Sequence, residues 1–513
     1  MLVGRRVIPS CGKAPRSLPL TYCGRLCHRA FILVVTACVG ACAVGPDYHK
    51  PPVQIPESFK EGADWQRAQV KPPDPLSNSW WLEYQDDKLT QLIAQSLQAN
   101  QSIVSAEAAY RVALATVQAN VASLFPVVSA ALSGSRTGAG PGAAAAAAGY
   151  STGVAIPGAT YNTVSATVSA SWEPDLWGSI RREIESAKNS AQATDAQLAG
   201  ERLSITTSVA IDYFQLRQAD IDIQSLKQQQ DIDARILEMT RAELLQGEAS
   251  NDDLLTAQDT LELVVAELQT TEASREQDEH AIAVLIGVPP ADFTLTPDLS
   301  YRFVLPAVPV ALPSQLLERR YDVVTAERTA AAANAKIGAA EAAFFPSLTL
   351  SAEGGYEHNT FAHLFSLPNR IWTLGPDLAE TIFDGGARTA AVREARATYE
   401  EDVANYRNAV LTAFQNVEDS LSTVNHLRQQ TQAYTNISHR NQQLFASERA
   451  QRLAGTASEQ DLLTRQLTLL QAEQNLNDSQ ASLAQGSVTL IKNLGGGWQW
   501  EDTNVPAVPA PPF

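Results

Sequence analysis

Residues 241–258 read Arg241-Ala-Glu-Leu-Leu-Gln-Gly247-Glu-Ala-Ser250-Asn-Asp252-Asp253-Leu254-Leu255-Thr256-Ala-Gln258. Residues 449–466 read Arg449-Ala-Gln-Arg-Leu-Ala-Gly455-Thr-Ala-Ser458-Glu-Gln-Asp461-Leu462-Leu463-Thr464-Arg-Gln466. The Arg, Leu, Gly, Ala-Ser, Asp-Leu-Leu-Thr and Gln letters coincide at an offset of 208, which also carries Gly178 onto Gly386 and Gly287 onto Gly495. A duplication this long means one object built of two similar halves. In each half 69 residues without proline run up to the central glycine (Gly178 to Gly247, Gly386 to Gly455). If helical throughout, each run reaches roughly 100 Å. The glycine then ends the helix in a left-handed conformation, and the serine three residues later starts the return helix as its N-cap.

The partners of these long helices are half their length. Ser250–Gly287 and Ser458–Gly495 return from the bends. Pro289, Pro290, Pro297, Pro306, Pro309 and Pro313 interrupt the chain, and a helix of about 31 residues is expected from Pro313 to Phe344. Its counterpart in the other half is the helix expected over Asp86–Leu124, where Leu89, Leu92, Ile93, Ser96, Leu97 and Asn100 fall at helical spacing. Leu462, Leu469, Leu476, Leu483 and Leu490 recur every seven residues, with Leu254, Leu261, Leu268, Arg275 and Ile282 as counterparts. That period predicts a left-handed, coiled-coil-like seam, which a channel and a solid rod would share.

Each half is also interrupted by alternating segments after a Phe-Pro pair. Val164, Ala166, Val168, Ala170 and Trp172 alternate with Thr163, Ser165, Thr167, Ser169 and Ser171, and Leu348, Leu350, Ala352 and Tyr356 oppose Ser347, Thr349, Ser351 and Glu353. Strands are expected near 127–137, 161–173, 347–357 and 370–379. Strands of about ten residues, apolar on one side and small-polar on the other, suit a transmembrane barrel with a wet interior. A soluble hairpin pair would alternate in the same way. Aromatic residues near the strand ends (Tyr161, Trp172, Tyr356, Trp372) and the leader favour the membrane. Four strands cannot close a barrel, so chains must associate; three give twelve strands and room for a passage.

All five cysteines lie within the first 42 residues. That suits a mature chain in an oxidising compartment. The basic start (Arg5, Arg6, Lys13, Arg16, Arg25, Arg29) and the apolar run Ala30–Ala41 form a signal peptide too short to span a membrane. Val39-Gly40-Ala41-Cys42 resembles a lipobox, with Cys42 as the acylated residue; Val35-Thr36-Ala37-Cys38 is a second reading. Loss of residues 1–41 leaves a mature charge near −24, which speaks against nucleic-acid binding. The expected organisation is a signal peptide (1–41), an extended N-terminal tether (42–85), a first repeat (86–300), a second repeat (301–500) and a Pro-rich tail (501–513).

No Ser-His-Asp set, phosphate loop or Cys/His metal pattern occurs, so the chain reads as a non-enzyme without metal or cofactor. His358 and His363 are read as loop polarity. Asp252, Asp253 and Asp461 crowd the two bends, where two readings stay open: first-turn helix acids alone, or acids that also face a pore.

Taken in order, several runs resemble the TolC-type outer-membrane efflux proteins, in the OprM-like and nodulation-protein lipoprotein branch. They are Cys42-Ala-Val-Gly-Pro-Asp-Tyr-His-Lys-Pro51, Trp80-Trp81, Trp172-Glu-Pro-Asp-Leu-Trp-Gly178, Leu316-Leu317-Glu-Arg-Arg320, Ala330 to Pro346, and Phe383-Asp-Gly-Gly386. Tyr321 departs from the proline common after the double Arg. The resemblance implies a mostly α fold with a small membrane β part. It implies a homotrimer with an α-helical barrel and a 12-stranded β-barrel, set in the outer membrane and reaching into the periplasm. It implies the exit duct of a tripartite pump, conducting drugs and toxic small molecules without catalysis. Its expected partners are outer-membrane lipid, a periplasmic adaptor and an inner-membrane transporter, proton-driven and RND-type. The docking surface is expected at the tips (Gly247, Ser250, Leu254, Gly455, Ser458, Leu462) and the periplasmic gate at Asp252, Asp253, Asp461 and Thr464. A duct for type I protein secretion and a non-conducting coiled-coil envelope lipoprotein are the alternatives.

Overall fold

A computed structural model describes residues 43–56, 58–61, 79–140, 159–306 and 320–498. Cys42, the leader and the Pro-rich tail lie outside them, as does most of Leu316–Arg320. The chain divides into a strand-bearing unit (up to Gly45, Leu124–Arg182, Gly338–Gly385) and a helical unit made of the rest.

In the first unit β1 (Val127–Ala139), β2 (Ala159–Trp172), β3 (Ser347–His358) and β4 (Arg370–Ala379) form one antiparallel sheet in sequence order. The register sets Ala130 opposite Val168, Val168 opposite Gly354 and Gly354 opposite Trp372. Parity is thereby kept across all four strands. One face carries Val128, Leu132, Val168, Trp172, Leu350, Trp372, Leu374 and Leu378, all exposed. The other carries serines and threonines, with Ser129–Ser169 and Ser133–Ser165 hydroxyls each paired at 2.8 Å. A continuous exposed apolar face backed by a polar one fits lipid on one side and water on the other. Strands of 13, 14, 12 and 10 residues are long enough to cross a bilayer core. At the foot of the sheet Trp172 Nε1 donates to Leu124 O (2.9 Å), and Trp177 Nε1 donates to Pro346 O (2.7 Å) while its ring stacks on Phe345.

The outer edges of β1 and β4 have no partner strand among the described residues. In hydrocarbon an unpaired edge costs several kcal/mol per group, so the sheet needs strands from other copies. No described helix is long and apolar enough to cross a membrane.

The helical unit holds α1 (Asp87–Ala99), α2 (Gln101–Ala122), α3 (Ser179–Gln246), α4 (Asn251–Leu285), α5 (Tyr321–Ala342), α6 (Ala387–Leu453) and α7 (Glu459–Asn493), whose ends in α3 and α5 reach into the strand-bearing unit. At 68 and 67 residues α3 and α6 are the long members, and α4 and α7 return over 35 residues each. Leu226 of α3 packs on Val264 and Leu268 of α4, whereas Ile232 packs on Leu463 and Leu470 of α7. Helix α3 therefore joins the two hairpins. The main core gathers Trp80, Leu89, Ile93, Tyr213, Phe214, Ile282, Tyr406, Phe414, Val488 and Ile491 where the half-length helices end.

Three expectations need correction. The helix expected over Asp86–Leu124 is two helices. Asn100 breaks it with ψ 127°, accepts from Ser102 N and Ile103 N as cap of α2, and donates to Leu285 O at 2.8 Å. Helical spacing alone places Asn100 within one helix, but an asparagine side chain competes for backbone partners. The helix expected from Pro313 begins, among the described residues, at Tyr321, after Arg320 has forked onto the Asp322 carboxylate at 2.9 and 2.6 Å. Tyr321 thus takes the first helical position, one that suits proline. Its ring covers Gly200, where a Cβ would lie 2.3 Å from it. In α7 the expected Leu483 and Leu490 are buried, but toward the tip the buried places are Leu463, Leu470 and Asn477, one residue beyond the expected leucines, in a stripe that continues to Ala484 and Ile491. Leu462, Leu469 and Leu476 are half-buried beside it. On α4 the expected stripe does point inward, and Arg275 occupies its fourth place.

The tether is extended but fastened. Tyr48 Oη donates to Glu327 at 2.6 Å, Phe59 is buried against Phe414, and Lys60 N and Glu61 N both donate to the Glu418 carboxylate (2.7 and 3.0 Å). An ion network fixes the connector after α4. Asp220 takes Arg217 (2.8 Å), Arg275 (2.7 Å) and Asp298 N (3.0 Å), while Arg275 also reaches Glu279 and Leu295 O. Asp86 caps α1 and accepts from Tyr213 and Tyr301.

Candidate functional site at the hairpin tips

Both tips are built by the same local chemistry. Gly247 (φ +78°) lets Glu248 N reach Glu243 O (2.9 Å) and Gly247 N reach Leu244 O (3.1 Å). Gly455 (φ +75°) does the same with Thr456 N to Gln451 O (2.9 Å) and Gly455 N to Arg452 O (3.1 Å). This paired closure satisfies carbonyls that the helix end would orphan. No atom lies within 4 Å of a Cβ added at either glycine. Only the left-handed backbone therefore requires glycine there.

The return helices start with matching capping boxes. Ser250 Oγ accepts from Asp253 N (3.1 Å), and Asp253 Oδ2 accepts from Ser250 N (2.8 Å). Ser458 and Asp461 repeat this at 3.0 and 3.1 Å. The serine hydroxyls also donate to those carboxylates, and these bonds lower both aspartate pKa values. Asp253 and Asp461 are thus committed to the helix start through one oxygen each. Asp252 and Thr464 are exposed, with no side-chain role in the caps.

The leucines divide their work. Leu254 and Leu462 are half-buried, Leu463 is buried against Ile232, and Leu255 is half-exposed. Leu245 and Leu453, which the sequence reading passed over, are 85% and 83% exposed at repeat-equivalent places. Their signal was the shared Leu in the opening motif. The tips differ in one respect: Arg452 Nε pairs with Glu459 at 3.0 Å across the second turn, where the first tip has Leu244 and Asn251.

Elsewhere, the His358 and His363 rings meet edge to face at 6.2 Å, and no group of three metal-binding side chains occurs among the described residues.

Duplicated hairpins with a two-faced, unclosed sheet are matched by known proteins. The sequence model described as "Outer membrane efflux protein" matches residues 92–288 and 312–496. The chain belongs to that family. The toluene efflux pump outer membrane protein TtgC of Pseudomonas putida is 31% identical over 474 residues, covering 91% of this chain and 95% of that protein. Nodulation protein T of Rhizobium leguminosarum is 29% identical, covering 90% of each. Among solved structures, the outer-membrane channel OprN is 28% identical with a TM-score of 0.76, over 89% of this chain and all of that one. The open state of the Neisseria gonorrhoeae MtrE channel is 26% identical with a TM-score of 0.74, over 89% and 98%. The family's fold is a mostly helical trimer with a small strand part. Its members are outer-membrane channel proteins of Gram-negative bacteria that extend into the periplasm and work with adaptor and inner-membrane pump partners.

Proposed function

We propose that the chain is the outer-membrane exit duct of a tripartite efflux pump, passing small molecules passively from periplasm to exterior. One observation carries this reading: a four-stranded sheet with an exposed apolar face, a hydroxyl-lined face and two edges unpaired among the described residues. It suits one third of a lipid-embedded, water-filled barrel.

The finer assignments rest on the tips and the leader. A periplasmic adaptor docks on Gly247, Ser250, Leu254, Gly455, Ser458 and Leu462, and an RND-type, proton-driven transporter feeds it. The surface is apolar at Leu245 and Leu453 and polar at the caps, which suits a second helical hairpin as partner. The resting gate lies at Asp252, Asp253, Asp461 and Thr464. Cys42 anchors the mature N-terminus in outer-membrane lipid.

The test is deletion of the gene in its host, with the full chain or a Gly247→Val, Gly455→Val double variant returned. The full chain restores export of a hydrophobic dye; the variant assembles as a trimer but exports poorly and cross-links weakly to the adaptor. Unchanged dye retention in the deletion strain, with loss of a secreted protein, favours the protein-secretion duct instead. Palmitate labelling that survives Cys42→Ser overturns the anchor.

A further inference from the structure

The buried stripe of α7 contains one residue that an apolar seam would not choose. Asn477, 6% exposed, sits between Leu470 and Ala484 at the same seven-residue spacing. Its Nδ2 donates to Asp222 Oδ1 of α3 at 2.9 Å and lies 3.4 Å from Gln218 O. Next to it Asp478 accepts from Gln218 Nε2 at 2.8 Å. One turn further along, Gln229 reaches Gln474. Asn477 on Asp222 and Gln218 on Asp478 thus cross-link α3 and α7 and bring the two acids together across the helices. Two carboxylates held this close repel each other when both are ionised, and a proton on either one relieves the repulsion.

We propose that Gln218, Asp222, Asn477 and Asp478 form a proton-dependent clasp between the two hairpins, closed when the acid pair is protonated and released when it ionises. The inference rests on the reading of the chain as a channel, because release loosens the seam along which one hairpin moves past the other. A lone buried asparagine already fixes helix register in coiled seams. Here an acid pair makes that registry conditional on pH.

The surroundings favour titration over permanent pairing. The strongest influences on Asp222 are burial, which raises its pKa, and the Asp478 charge, which raises it further; Asn477 and Gln218 oppose them. Asp222 is pushed up to about 7. Asp478 is raised by burial, against the hydrogen bond from Gln218. Cations on the same stretch of α3 are engaged elsewhere, Arg217 by Asp220 and Lys227 by Glu272. A folded-state pKa raised above the ordinary aspartate value gives stability that is complete at low pH and is lost as pH rises through that value. The clasp therefore opens as pH passes about 7. The duplication shows that it is local. The repeat-equivalent positions are His426, Gln430, Gln269 and Thr270, which contain no acid pair.

The experiment uses the full-length trimer in planar bilayers and in hydrogen exchange, at pH about 5.5 and about 8. Wild type opens several-fold more at the higher pH, and peptides covering 470–485 lose protection there beyond the intrinsic rate change. Asp222→Asn and Asp478→Asn, each of which leaves an amide opposite a single acid and so removes the charge repulsion, stay protected and low-conducting at both pH values. Asp212→Asn, in the separate acid pair with Asp278 on α4, leaves the response intact. Equal wild-type protection at both pH values overturns the clasp, as does a full pH response in both asparagine variants. A trimer that never conducts but still loses protection in this segment at high pH refutes the duct reading and supports the clasp.

Discussion

Removing the Asp220 carboxylate is expected to destabilise the protein more than any surface change. Its side chain is 0% exposed and holds Arg217, itself 6% exposed, together with Arg275 and the Asp298 backbone. Breaking a buried ion pair from one side leaves an unpaired charge and costs about 3–5 kcal/mol. Two guanidiniums are released here, but neither is wholly abandoned. Arg217 keeps Thr296 O and stacks over the Tyr213 ring at 5.0 Å, and Arg275 keeps Glu279 and Leu295 O. The lower end, about 3 kcal/mol, is therefore expected for Asp220→Ala. At about 2 °C per kcal/mol for a large chain, the helical melt falls by about 6 °C. Circular dichroism at 222 nm on the purified trimer measures it, with unfolding rate as the readout if the melt is irreversible. Arg275→Leu installs the residue of the repeat-equivalent position, Leu483, and leaves Asp220 with Arg217 and Asp298 N, so it costs less than Asp220→Ala. If Asp220→Ala melts within about 1 °C of wild type, or Arg275→Leu costs more, the network is not the fastening described.

Gly200→Ala drives a methyl into the Tyr321 ring and destabilises by about 1–3 kcal/mol; Tyr321→Pro, with no ring over Gly200, removes most of that penalty in a double-mutant cycle. Because the Asp253 and Asp461 pKa values are lowered by their capping bonds, those bonds persist from neutral pH down through the ordinary aspartate range. Tip amides should therefore lose protection only below it, and loss already at mildly acid pH refutes the capping account. Leu462→Ser, at a half-buried place beside the buried Leu463, should raise single-channel conductance and admit vancomycin-sized molecules; wild-type conductance in that variant moves the gate away from the tips. Ser458→Ala should speed exchange of the first turn of α7 without changing the trimer melt, whereas a lowered melt would give the cap a global role.

What could be read from the sequence was whatever depends on neighbours along the chain. Alternation of Val164 to Trp172 with serines and threonines states both the strand and its two environments, because side chains on a strand must take opposite faces. Gly247 and Gly455 followed by Ser250 and Ser458 state a helix end and a helix start for the same local reason. Features set by distant partners were hidden. A seven-residue spacing of leucines gives the period of a seam but not its phase: toward the tip of α7 the neighbouring Leu463 and Leu470 are the buried ones, because Ile232 of α3 faces them, whereas Leu483 and Leu490 are buried as expected. Asn100 looked helical until Leu285 O, 185 residues away, took its side-chain amide. Nothing near Asp222 in sequence announces Asp478, 256 positions later. The tether offered no periodicity, so its fastening to Glu327 and Glu418 could be seen only in three dimensions.

The edges of β1 and β4, unpaired among the described residues, have a consequence for biogenesis. A single chain that entered lipid would carry two rows of unbonded peptide groups, each costing several kcal/mol there. Insertion is thus forbidden to the lone subunit and open only to a ring already formed or forming. Until then the same edges can recruit any passing strand, so the newborn chain needs an escort in the periplasm. Channel number should accordingly rise more steeply than in proportion to synthesis. Near the threshold, a cell that halves its output of this polypeptide loses more than half of its pores, and the surplus chains go to proteases rather than to the membrane.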